Sequence, residues 1–208
     1  MTRTRHQFSV SLSGMEIARG HDGFLRGEPE PVVIVAAYVL DGEQVRPVGR
    51  ALYRFTPSGP FPSVTTPLVR PPIAVQVAHS RPVAFALLAI ALEEDGGIDV
   101  QTAYGATDAY RTLSVWSEDH REPAPLHLHE LLNEPDVWRQ PTSIQVIVDG
   151  RNLSSTCKSD EWVGGVAWLV PAYKHPLPTR REARNEFRLH FQSTDGRNDW
   201  TALAVVQQ

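Results

Sequence analysis

Residues 83–92, VAFALLAIAL, carry no charged or strongly polar side chain, and a segment this short and this apolar cannot turn either face to water. It breaks off into Glu93, Glu94, Asp95, two glycines, Ile98 and Asp99, so three consecutive acids and then a fourth stand at its end. A strand buried on both faces that delivers a charged loop to the rim of a sheet satisfies both halves. A chain organised around such a strand needs cover on each side of it.

The flanking sequence supplies strands. Phe8, Val10 and Leu12 alternate with Gln7, Ser9, Ser11 and Ser13, the pattern of a strand with one buried face. Residues 14–31 read as a long connection rich in glycine and charge, with His21, Asp22, Glu28 and Glu30. Residues 32–40 form a second doubly buried run, Asp41 and Gly42 a hairpin turn, and residues 45–55 return with Ala51, Tyr53 and Phe55 opposite Arg50, Leu52 and Arg54. Six prolines between Thr56 and Pro72 predict a stiff, irregular surface loop, and residues 73–78 a short strand. If antiparallel strands alternate in direction, the connections 14–31, 56–72 and 93–99 emerge at one end. That brings Asp22, Glu28 and Glu30 towards Glu93, Glu94, Asp95 and Asp99.

Beyond the rim, Asp99 is placed to cap a helix over residues 100–116, with Val100, Ala103, Tyr104, Tyr110, Leu113 and Trp116 on one face and Gly105 weakening it. Residues 126–133 predict a short second helix. Strands follow at 144–148, 161–173, 187–191 and 201–206; Asp149 and Gly150 mark a turn, Gly164 and Gly165 a bulge. About nine strands with one or two short inserted helices and no repeat predict a mainly β fold, a single antiparallel β-sandwich domain over residues 1–208. The other division would fall near residues 117–125.

Composition narrows the function classes. A net charge of −4 gives no global attraction to nucleic acid or to an anionic membrane, so either contact would need a local basic patch. Cys157 is the single cysteine, which removes intramolecular disulfides and favours a reducing compartment. The basic N-terminus lacks an apolar signal core, and no run approaches the roughly 20 residues of a membrane span, so a cytoplasmic protein is expected.

The order of FSVSLSG, an acidic connection ending in GEPEPVVIVAAYV, and an apolar strand ending in EEDGGID resembles C2-like β-sandwich domains over residues 7–100. The resemblance implies rim loops whose acids gather around calcium, a domain that docks on phospholipid, or a member that binds no calcium and acts in protein contacts. Calcium takes six to eight oxygens, for which Asp22, Glu28, Glu30, Glu93, Glu94, Asp95 and Asp99 are the candidate donors. They mix Glu with Asp at loose spacing, where the calcium-binding members of that family rely on tightly spaced aspartates. The same acids equally suit a solvated rim and a helix cap.

Two further groups carry chemistry. His127 and His129 with Glu130 and Glu134 have the His-any-His spacing of a cupin-like zinc or iron site, but the segment reads as helix, and surface or packing roles stand beside ligation. Lys174, His175, Arg180, Arg181 and Arg184 make a basic loop balanced by Glu182. No nucleophile elbow, phosphate loop or dinucleotide fingerprint is present. The expected function is a non-enzymatic binding or adaptor module that engages a protein partner, with calcium or a membrane surface as further options, through its acidic rim. A subunit of a homo-oligomeric assembly is the alternative, and a metal-dependent cupin-like enzyme ranks third.

Overall fold

The computed structural model describes residues 4–20, 28–57, 60–79, 84–94, 98–117, 124–157, 162–171 and 184–207. The strands in chain order begin with β1 (Thr4–Arg19), β2 (Pro31–Asp41), β3 (Gln44–Arg54), β4 (Ser63–Thr65), β5 (Ile73–His79) and β6 (Ala84–Glu93). Helix α1 (Ile98–Ala106) precedes β7 (Leu113–Trp116), β8 (Leu126–His127), β9 (Thr142–Val148), β10 (Arg151–Asn152), β11 (Trp162–Pro171), β12 (Arg184–Gln192) and β13 (Asp199–Gln207). Short 3-10 turns of helix occupy Leu128–Asn133, Val137–Arg139 and Leu153–Ser155. The fold is mainly β, every described strand pair is antiparallel, and no helix among the described residues is long and apolar enough to cross a membrane.

The strands form two sheets. One runs β12-β13-β1-β4, with β5 also on the β4 side of β1; the other runs β3-β2-β6-β11-β9-β7-β8, with β10 on β9. Phe8 of β1 stacks on Phe85 of β6 with ring centroids 3.9 Å apart, across a core shared by both sheets. Along β6, Phe85, Leu87, Ala89 and Ala91 enter this core, while Ala86, Leu88, Ile90 and Leu92 enter a second one on the opposite face. The second core is closed by Val100 and Ala103 of α1, Leu128 and Leu131, and Trp138 from the 3-10 segments. This double cover explains why β2 and β6 read as unbroken apolar runs: period-2 alternation marks a half-solvated strand, and neither strand has a solvated face.

Three expectations are corrected. First, residues 14–19 continue β1, which is 16 residues long. A register shift between Leu12 and Gly14 moves the core-facing set from Phe8, Val10 and Leu12 to Met15 and Ile17, so the alternation changes parity where the strand seemed to end by pattern. Second, the helix expected over 100–116 stops at Ala106, and residues 113–116 pair with β9 as β7. Leu113, Ser114 and Val115 are all buried, as befits a strand under the helical layer, and Asp99 lies in the first turn of α1, not before it. Third, the helix expected at 126–133 is a two-residue strand and a 3-10 turn, and the proline-rich connection holds β4, whose Ser63 to Thr65 pair with Ile17 to Met15.

Two of the glycines, one in a turn and one between strands, meet demands of the sheet itself. Gly42 takes φ +62° at the first position of the two-residue β2–β3 turn. At Gly165 a Cβ would stand 3.0 Å from the Ile144 carbonyl oxygen, so a side chain there would press on the β9 backbone.

Candidate functional site

The rim forms where β2 begins and where β3 and β6 end. Pro31 pairs with Glu93, and the ladder is extended past the strands by Phe55 N–H to Pro31 O at 2.9 Å and Glu94 N–H to Glu30 O at 3.1 Å. Leu68 N–H to Arg54 O, 2.9 Å, ties the proline-rich connection to the same end. These bonds shape a cleft of 490 Å³ bordered by Glu28, Glu30, Arg54, Phe55, Leu68 and Glu94. Leu68, at the edge of this cleft, is 68% exposed, and so is the adjacent Val69.

The acids on this rim differ in employment. Glu28 and Glu30 are exposed. Glu94 is ion-paired with Arg54. Glu93 is buried and accepts the Glu30 N–H through its Oε1 at 3.3 Å. Asp99 is buried on α1, where the Cys157 Sγ lies 3.9 Å from its carbonyl oxygen. Thus Glu28, Glu30 and Glu94 share the cleft, Glu93 is buried beside it without lining it, and Asp99 belongs to the helical layer. Asp22 and Asp95 lie outside the described residues. Among the described residues no group of three or more His, Cys, Asp or Glu side chains is disposed to hold a metal ion.

Arg54, Phe55 and Leu68 are cleft residues that sequence reading left out. Arg54 carried a signal: it ends the polar face of β3 beside the rim, where a cation among acids is a natural partner.

His127 and His129 stand elsewhere, with rings 6.0 Å apart and 9° from parallel. Glu130 does not join them as a ligand, because its carboxylate caps the 3-10 turn by accepting the His127 N–H at 2.5 Å. The pair lines a second cleft, of 380 Å³, at the tip of the β2–β3 hairpin. The basic loop at residues 174–183 lies outside the described residues.

Several polar contacts fasten the helical layer above the sheet. Arg50 donates to Tyr104 O at 2.6 Å, pairs with Asp108 at 2.7 Å and lies 4.0 Å over the Tyr104 ring. The Tyr38 hydroxyl donates to Thr107 O at 2.7 Å, and burial pushes its pKa well up. Burial likewise raises the Tyr53 hydroxyl, to about 12; it donates to Pro71 O at 2.7 Å. Both phenols are anchors held neutral, not acids poised to react.

Comparison of the chain with family models, curated proteins and solved structures finds no match.

Proposed function

We propose that the protein is a non-enzymatic binding module of C2-like type whose rim cleft takes a protein partner. The observation that carries this reading is the cleft itself: Glu28 and Glu30 exposed at the mouth, Glu94 behind them, and Leu68 presented outward at its edge. Acids give attraction and orientation towards a basic segment, and an exposed apolar side chain within a concave surface supplies contact area that desolvates on binding. Support for the C2-like type is the meeting of acid-bearing connections at one end of two antiparallel sheets. Calcium and a membrane surface are carried as arms of the test.

Affinity capture from native lysate, with partners identified by mass spectrometry, compares the natural chain with Glu28→Lys/Glu30→Lys, each with and without calcium. A partner recovered by the natural chain and lost in the variant supports the reading. Equal recovery by both refutes it. A loss on chelation alone assigns the rim to calcium, and recovery only with anionic vesicles assigns it to a membrane.

The alternative, a subunit of a homo-oligomer, draws on one feature: β12 and β3 each end a sheet with one strand neighbour among the described residues. Open edges are templates for pairing with another chain. Mass measurement in solution distinguishes the two, since a stable higher oligomer favours assembly.

A further inference from the structure

The cleft at the hairpin tip has the opposite chemistry to the rim. Three separate elements contribute to it: the β2–β3 hairpin brings Glu43 and Arg46, the turn before β7 brings Tyr110 and Arg111, and the β8 segment brings His127 and His129. Each β2–β3 strand is 11 residues long, which separates the two clefts by ~33 Å along the hairpin. On a chain of net charge −4, this collection of cationic and hydrogen-bonding groups is local.

How the arginines are employed strengthens the contrast. Arg19, Arg50, Arg54, Arg139, Arg188 and Arg197 are each ion-paired with a carboxylate. Among the described residues, Arg46, Arg70, Arg111 and Arg151 have no such partner, and of these Arg46 and Arg111 line one cleft together; Arg111 lies 5.7 Å from the Tyr110 ring centroid. Asp108 pairs with Arg50, and Glu130, which does not line the cleft, accepts the backbone N–H of His127. Glu43 is the one acid among the described lining residues, set against two guanidinium groups and two imidazoles.

We propose that this cleft binds a phosphomonoester group. A phosphate presents three peripheral oxygens in a tetrahedral fan. A guanidinium fork from the hairpin, a second guanidinium with a phenol from the turn before β7, and ring nitrogens from the β8 segment offer donors for all three, whereas a carboxylate would leave part of the donor set unmet. The volume of 380 Å³ is that of a small-molecule site and leaves room for the group that carries the phosphate.

The test is calorimetric titration of the full chain with inorganic phosphate and with glycerol 3-phosphate, beside flotation with vesicles containing phosphatidic acid. The natural chain is expected to bind the soluble ester at one site, with affinity reduced at least tenfold in Arg46→Gln/Arg111→Gln and the thermal midpoint unchanged, since both side chains are exposed. A double variant at the far rim, Glu28→Gln/Glu30→Gln, should bind as the natural chain does. Vesicle binding that requires the same arginines and is competed by the soluble ester would name a lipid headgroup as the source, and its absence a soluble ligand; both outcomes uphold the site. No saturable binding of either soluble probe at tens of millimolar, or binding unaltered in the arginine variant, would overturn it.

Discussion

The Glu93 carboxylate accepts the Glu30 N–H at 3.3 Å, so an acid from the end of β6 ties down the residue that precedes β2, beside the rim cleft. Glu93 is 2% exposed, and its truncation removes the side-chain acceptor that meets the Glu30 N–H. Glu93→Ala is therefore expected to lower stability by ~0.5–1.5 kcal/mol, the net contribution of a typical hydrogen bond. Urea denaturation should show a lower midpoint with an unchanged slope. A midpoint within error of the natural chain would show that the contact contributes nothing.

Much of this architecture was legible in the chain, and the illegible parts share a physical cause. Residues 84–92 and 32–40 announced burial on both faces because no polar side chain interrupts them. The extension of β1 was hidden because a bulge near Gly14 changes which parity faces the core, so alternation fails within an intact strand. β7 was hidden because its residues sit under the helical layer, and a short apolar segment after a helix has no periodicity of its own. At the rim, the acids were visible as a group, but their division of labour depends on backbone geometry: Glu93 folds back on Glu30, and Glu94 meets Arg54. Leu68 gave no sign, since a leucine within a proline-rich stretch reads the same whether it is buried or presented.

Double burial of β6 makes a test of the layered core. Leu87 and Leu88 point to opposite faces and each is 1% exposed. Leu87→Ala and Leu88→Ala should each cost ~2–5 kcal/mol. A strand with one solvated face would lose stability in only one of the two variants, and that asymmetry in denaturation would contradict the second core.

Arg50 clamps the C-terminal end of α1 through a charge-assisted hydrogen bond to the Tyr104 carbonyl and a stacked Tyr104 ring. Its ion pair is with an Asp108 side chain that is 67% exposed, so most of the effect should come from the Tyr104 contacts. Arg50→Ala is expected to destabilise by ~1–2 kcal/mol, and Arg50→Lys to recover little, since an ammonium cannot both stack and reach the carbonyl. Hydrogen exchange should quicken over residues 98–110 in both variants while β6 keeps its protection.

The pH response has a defined sign. Burial acts to raise the Asp199 pKa, but hydrogen bonds from His190 and Arg19 outweigh it and hold the carboxyl below its ordinary 3.8. A folded-state pKa depressed in this way contributes stability above the unfolded value, and that contribution is lost as pH falls through the folded one. Thermal midpoints of the natural chain should thus fall at pH below 3.8 more steeply than those of Asp199→Asn. Parallel acid limbs would exclude a role for this cluster.

The most direct test of the rim as a protein-binding surface is photocrosslinking from position 68. With a benzophenone side chain replacing Leu68, irradiation in native lysate should yield an adduct of defined mass that disappears in the Glu28→Lys/Glu30→Lys background. No adduct from position 68, or one that persists unchanged with both charges reversed, would contradict the account.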